Sequence, residues 1–569
     1  MQRATHVLFG LSATFMAWRA LEQKWLADQI LDPWAVAAIQ VGIPVAIASG
    51  TALAIAAGLL SGDQRRAFRN DALSGFAALM GVFILALGEL PRDVVGLVFV
   101  LVVAARVAPW AWWGVRHGAP PAYIFALAFA FYAPLVGWRV AASLPFGDQV
   151  FYLLSADRLA HSSLDATIDP KRFFEILGIA PTPADTLTHV VDAPVGPRLI
   201  QGYALPAILA AGWLLGAETG ATIVIALFAA WASLQTWLLL GETGPPIRPG
   251  ALRVDRIAWA IVTFCAPLAL LAVHVYPNAV GAALIVTGYR YAFTARDPRP
   301  LLAGALLGAT AFLNPRDGLV LLALAPFALA WTHAARVHFA LGAVALGIAA
   351  ALVSFLSFGV PLPYAGYIFG TATAQTIQAE PTWNFHFWVG LPAILFDRVF
   401  GVAGTAPWLF LGALGAFPAI RHARGRLVPA GTAIVASIAL LSLFRLWEGG
   451  YAPPNRYLVD VLPLAAPFVA FGLWAARPLV LRIFAAGTIA VSVVATAFLL
   501  AVPSAALNTA FDDKPQAMLD AALGLNPLGW LPSFQPVTPD WYIGAYLRLI
   551  PCVLLLIALV LLGRRRASA

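Results

Sequence analysis

Apolar segments recur along this chain near residues 4–20, 34–60, 73–90, 94–114 and 119–140, then near 220–240, 257–276, 279–294, 301–313, 318–332, 339–358, 402–420, 427–446, 457–475, 480–502 and 544–562. A helix crossing a bilayer needs about 20 mostly apolar residues. Only helices or closed barrels satisfy every backbone hydrogen bond inside lipid. These runs are long and continuous, not alternating, so the pattern predicts an all-α polytopic membrane protein with about 15–16 transmembrane helices. One segment is irregular: "LIQGYALPAILAAGWLLG" (199–216) is short, contains Pro206 and follows a polar loop. It is expected to be re-entrant or to lie in the interface.

Composition agrees: of 569 residues, 61% are hydrophobic and 11% charged. The net charge of +8 is scattered through short loops, which fits the positive-inside rule and not a nucleic-acid surface. Cys265 and Cys552 both sit inside apolar runs, so no structural disulfide is expected. The N-terminus has a basic start and an apolar stretch without a small-residue cleavage site, and reads as a retained span.

Loop charge orients the chain. Arg65, Arg66 and Arg69, then Arg116, then Arg421, Arg424 and Arg426, and finally Arg564, Arg565 and Arg566 mark cytoplasmic turns. Both termini then lie inside. If 199–216 crossed, the loop carrying Arg248, Arg253 and Arg256 would face outward, against the rule. The larger polar loops collect on the outer face: 140–198, 274–278, 314–318, 359–400, 445–456 and 503–543. No short-period repeat is present.

The first outer loop holds "FGDQVFYLLSADRLAHSSLD" (146–165). Val150, Phe151, Leu153, Leu154 and Leu159 fit an amphipathic helix lying on the membrane. Asp148, at its start, is either a helix N-cap or a general base at the water–lipid boundary. Asp157 and His161 are spaced to pair on one face.

This stretch resembles the first outer loop of bacterial integral-membrane glycosyltransferases of the GT-C superfamily, the type that includes protein mannosyltransferases and lipid A aminoarabinose transferases. Four more segments resemble that family in order: "HVYPN" (274–278), "FLNPRDGLVLLAL" (312–324), "LPAILFDRVFGVAGTAPW" (391–408) and "WEGGYAPPNRYLVDVLPLAAP" (447–467). The resemblance implies three parts: additional N-terminal helices (1–118), a GT-C-like core (119–475, with outer loop 140–198) and C-terminal helices (476–569, with outer loop 503–543). It implies an inverting glycosyltransferase in the bacterial inner membrane, facing the periplasm. The implied donor is a polyprenyl-phosphate sugar, and the acceptor an extracytoplasmic glycan, lipid or protein. Membrane lipid is a partner; nucleic acid is not.

On this resemblance Asp148 is the base, and Arg316 and Arg456 are candidates for the lipid phosphate, because the guanidinium fork matches phosphate oxygens. The remaining substrate-binding candidates are Gln149, Tyr152, His274, Tyr276, Asn278, His386, Trp447, Glu448 and Tyr457. Two positions depart from the family, where Gly-Asp-Glu becomes Gly-Asp-Gln and Tyr-Pro-Glu becomes Tyr-Pro-Asn. A divalent metal is open in the family, but the amides Gln149 and Asn278 replace carboxylates and argue against one. "TWNFHFW" (382–388) and Trp447 offer aromatic platforms for sugar faces or interfacial anchors. Two other functions stand beside this one: a lipid or glycan transporter or flippase, and a non-catalytic scaffold in envelope polysaccharide assembly.

Overall fold

The computed structural model describes residues 92–143, 145, 147–161, 190–199, 202–246, 253–362, 387–444, 452–506, 529–534 and 540–568. The first three expected spans lie outside the described residues. Helix α1 (Arg92–His117) turns through Gly118 into α2 (Pro121–Ala142). Helix α3 (Asp148–Ala160) and a two-stranded hairpin, with Val190 opposite Leu199 and Ala193 opposite Gly196, precede the long α4 (Ala204–Thr243). Then follow α5 (Val254–Phe264), α6 (Asn278–Tyr289), α7 (Pro300–Leu313), α8 (Gly318–Ala328) and α9 (His333–Phe358). The last are α10 (Phe387–Phe396), α11 (Phe410–His422), α12 (Arg424–Ser442), α13 (Leu462–Ala475), α14 (Leu479–Ala501) and α15 (Asp540–Ser568).

Among the described residues, eight helices are long and apolar enough to cross a membrane, and three shorter apolar ones accompany them. The protein is a helical multi-pass membrane protein. Its outermost helices behave as lipid-facing elements should: Leu352, Leu356, Val480, Ile483 and Leu547 are apolar and exposed. The axis of the bundle is α6, in which every residue but Leu284 is buried. It packs against α4, α7 and the turn Arg456–Val461.

Several expected spans are broken. The segment 257–276 is not one helix: α5 ends at Phe264, a turn through Cys265, Ala266 and Pro267 follows, and Leu268–Leu271 makes one further turn. Proline lacks the N–H that would continue the helical ladder. The segment 402–420 likewise opens with two short turns, Val402–Thr405 and Pro407–Leu409, before α11 begins. Cys265 and Cys552 are buried free thiols.

Residues 204–216 of the irregular segment form the first arm of α4. Helical geometry breaks at Gly216 and Ala217, and Ala217 has a φ of 46°. The two arms fold onto each other there. A Cβ added at Gly220 would lie 2.0 Å from the Gly212 carbonyl oxygen, and one at Gly212 only 2.5 Å from that of Gly220. Only glycine permits this backbone contact. The arm from Ala204 to Gly216 spans about 20 Å at 1.5 Å per residue, short of the roughly 30 Å hydrocarbon core.

This arm changes the picture of α3. Residues Gln149 to Asp157 are all buried, and Trp213 on the arm donates to Asp157 Oδ1 at 2.8 Å. Helix α3 is therefore enclosed by protein, not laid on a lipid surface. Its apolar positions meet α4. The spacing of Asp157 and His161 was read correctly, since Asp157 Oδ1 lies 3.0 Å from the His161 ring nitrogen.

Candidate functional site

The N-terminus of α3 is set by Gly147, the N-cap residue, with a φ of 57°. Asp148 is thus the first helical residue and not the cap. Its charge sits where the helix dipole favours an anion. Its Oδ2 accepts a hydrogen bond at 2.9 Å from Nη2 of Arg456, 308 residues further along the chain. The side chain of Asp148 is 31% exposed and that of Arg456 only 7%. The pair therefore leaves the carboxylate partly exposed and buries the cation.

Local chemistry holds Arg456 in place. Asn455 adopts the left-handed conformation, φ 58°, which a short amide side chain tolerates better than most. Its Nδ2 donates to Thr405 Oγ1 at 2.6 Å. That anchors the turn Arg456–Val461 to the turn Val402–Thr405. The Arg456 guanidinium lies over Tyr276 at 4.2 Å and near Tyr457 at 5.3 Å. Arg316 covers the Tyr457 ring at 3.6 Å. The result is a run of alternating rings and guanidiniums beside an accessible carboxylate. Such contacts favour cations most where water is excluded.

Arg316 Nε is 3.9 Å from Asp317 Oδ1. Asp317 and Asp460 are both buried, and they meet over Gly281. A Cβ there would fall 2.5 Å from Asp460 Oδ1 and 3.3 Å from Asp317 Oδ2, so the approach of the two acids to α6 requires glycine. Neither of those oxygens has a hydrogen-bond donor among the described residues when both groups are ionised. Burial, and then the Asp460 charge, push the Asp317 carboxyl well above the ordinary carboxylate range. A proton retained on Asp317 supplies the missing donor, and Asp460 accepts it. Asn278 Nδ2 donates to the other Asp460 oxygen at 2.7 Å. Three carboxyls (Asp148, Asp317, Asp460) face two guanidiniums (Arg316, Arg456), and the Asp317 proton brings the cluster to neutrality.

A pH dependence follows. A raised folded-state pKa contributes stability that is complete at acid pH and is lost as pH climbs through the raised value. The melting temperature of the detergent-solubilised protein is expected to fall as pH rises above the usual carboxylate range. Asp317→Asn, whose amide N–H replaces the acid O–H, should fold and flatten that slope. An unchanged slope in the variant would refute the shared proton.

The other expected residues divide. Tyr276, Tyr457, Arg316 and Arg456 converge with Asp148, and Tyr152 is buried within the field of Arg456. Gln149 is fully buried, and its Oε1 accepts from the Val275 backbone N–H at 2.9 Å. It clamps the loop before α6. Asn278 is buried against Asp460. His274 is buried too, its Nδ1 2.7 Å from the Leu270 carbonyl. His386, Trp447 and Glu448 lie outside the described residues. Beside Asp148, Oδ2 is engaged by Arg456 and the neighbouring amide oxygen of Gln149 by a backbone N–H.

Four residues were missed. Asp317, Asn455 and Asp460 carry no signal beyond lying inside the segments 312–324 and 447–467. Arg139 does carry one, because it is a lone charge near the end of an apolar span, and intramembrane charges are functional or structural by default. It is 1% exposed, pairs with Glu218, and donates from Nε to the Val273 carbonyl at 2.9 Å. Through that bond it fixes the loop leading to Tyr276.

No family model and no curated protein matches the chain.

Proposed function

We propose that the protein is an integral-membrane glycosyltransferase of GT-C type. On this proposal it moves a sugar from a polyprenyl-phosphate donor to an extracytoplasmic acceptor at the bacterial inner membrane, with Asp148 as general base. The observation that carries the proposal is the Asp148–Arg456 pair. It joins the first loop helix to the segment "RYLVD", two stretches that resemble family motifs far apart in sequence. The accessible carboxylate takes the proton of an acceptor hydroxyl. The hydroxyl oxygen attacks the anomeric carbon with inversion, and the carbon–oxygen bond to phosphate breaks with its electron pair on the phosphate. Arg456 and Arg316 stabilise that leaving anion. A phosphate drawn to Arg456 would also compete with Asp148 for the guanidinium and release the carboxylate for proton transfer.

The test is reconstitution in liposomes with radiolabelled polyprenyl-phosphate sugars and sugar, lipid or peptide acceptors. Transfer of label to the acceptor is expected. Label that crosses the bilayer still attached to lipid would replace this reading with a transporter or flippase. Two observations favour that second reading: the buried acids Asp317 and Asp460, and the helix breaks at Gly216–Ala217 and Cys265–Pro267. Transporters build ion sites from such elements.

A further inference from the structure

The opposite end of α6 holds a second polar construction. After Tyr289 the helix widens into a π-turn, Arg290–Thr294, a distortion that recurs at functional sites. Arg290 and Thr294 both reach Glu242 near the end of α4. Arg290 Nε and the Thr294 hydroxyl donate to Glu242 Oε2 at 3.1 and 2.6 Å, while a second guanidinium nitrogen binds Oε1. Arg290 also binds Gln235. Every oxygen of the Glu242 carboxylate is thus occupied. Tyr289 donates its hydroxyl to the Arg426 carbonyl. Arg426 returns an N–H to the Glu242 carbonyl at 3.0 Å. The backbone N–H of Arg299 closes the loop on the Tyr291 carbonyl at 3.1 Å.

Above this floor opens a cavity of about 650 Å³, lined among others by Glu242, Arg290, Thr294, Arg296, Arg299 and Arg426. That volume is in the range of small-molecule sites. Its charge is one-sided. Arg290 cancels Glu242, and Arg299 lies 3.6 Å from Asp297. Arg296 and Arg426 remain, two positive charges on the cavity lining. Arg296 has no hydrogen bond or ion pair among the described residues. A phosphomonoester carries a charge of about −1.5 to −2 at neutral pH, and guanidiniums bind its oxygens two at a time.

We propose that this cavity is a phosphate-binding site, separate from the Asp148 cluster, for a phosphomonoester carried by a lipid headgroup or by a soluble ligand. The proposal does not rest on the glycosyltransferase reading. Scattered arginines at helix ends also attract anionic lipid, so the test must separate a built site from charge alone.

The full-length protein in detergent is titrated with inorganic phosphate and pyrophosphate, followed by thermal shift. In parallel it is mixed with phosphatidylcholine vesicles with and without phosphatidic acid. Arg296→Gln/Arg426→Gln is compared with Arg564→Gln/Arg565→Gln, which removes the same charge from the end of α15. The cavity variant is expected to lose at least tenfold in affinity for one probe, while the α15 variant stays within about twofold of wild type. Response to the inorganic ions identifies a soluble ligand; response to phosphatidic acid alone identifies a headgroup. Arg296→Gln by itself, at an exposed position, gives the same comparison if the double variant is unstable. Equal losses in the cavity and α15 variants, or no probe that distinguishes wild type from the cavity variant, would overturn the proposal.

Discussion

Asp148→Asn is expected to lower sugar transfer by about 10²–10⁴-fold, the usual contribution of a positioned general base. The substitution is nearly isosteric, and an asparagine oxygen can still accept from Arg456. The cost in stability is therefore small, about 1–2 kcal/mol, because one partner of the ion pair is roughly a third exposed and screened by water. Activity and fold should separate: normal membrane insertion and a near-normal melting curve, with transfer almost gone. Asp148→Glu should recover part of the rate. Transfer from the lipid-linked donor at the wild-type rate in Asp148→Asn would remove Asp148 from the chemistry.

Asp397→Ala is expected to give a large loss of stability. The Asp397 carboxylate is fully buried and accepts three backbone N–H bonds. Val399 and Phe400 donate to Oδ1 at 2.8 and 2.9 Å, and Phe534 donates to Oδ2 at 2.8 Å. One side chain therefore closes its own turn and ties it to the segment 529–534. Alanine leaves three buried donors unmet, at about 1–3 kcal/mol each, for a total of roughly 3–9 kcal/mol. Asp397→Asn should be intermediate, since its oxygen can keep the local turn while its N–H₂ opposes the Phe534 donor. Thermal unfolding in detergent decides the matter, and a loss below about 1 kcal/mol for alanine would show the staple to be dispensable.

The helical, multi-pass class was legible because hydropathy over a whole span is a sum of many small terms. The Asp157–His161 pair was legible because four-residue spacing is a local property of helices. The shortness of the arm ending at Gly216 was also visible, as an apolar run too short to cross. What failed was anything decided by a distant neighbour. Helix α3 looks amphipathic on its own, but Trp213 and the rest of the α4 arm cover it. Asp148 looked like a possible cap until Gly147 took that place and Arg456 took its side chain. No periodicity connects residues 308 positions apart. Gln149 and Asn278 were read as groups for substrate, yet both are buried: the Gln149 oxygen accepts from the Val275 N–H and the Asn278 amide N–H donates to Asp460, contacts with residues far along the chain.

The two glutamates of α4 have different histories during synthesis. Glu218 pairs with Arg139, 79 residues earlier in the chain, so its partner has already left the ribosome when α4 emerges. Glu242 pairs with Arg290, 48 residues later. At about 5–20 residues per second this partner arrives on the order of 2–10 s afterwards. Until then Glu242 has only water to satisfy it, which its position one residue from the helix end keeps within reach. The start of the second arm of α4, at Glu218, can therefore dock at once, while its far end stays unlocked until α6 and the π-turn are made.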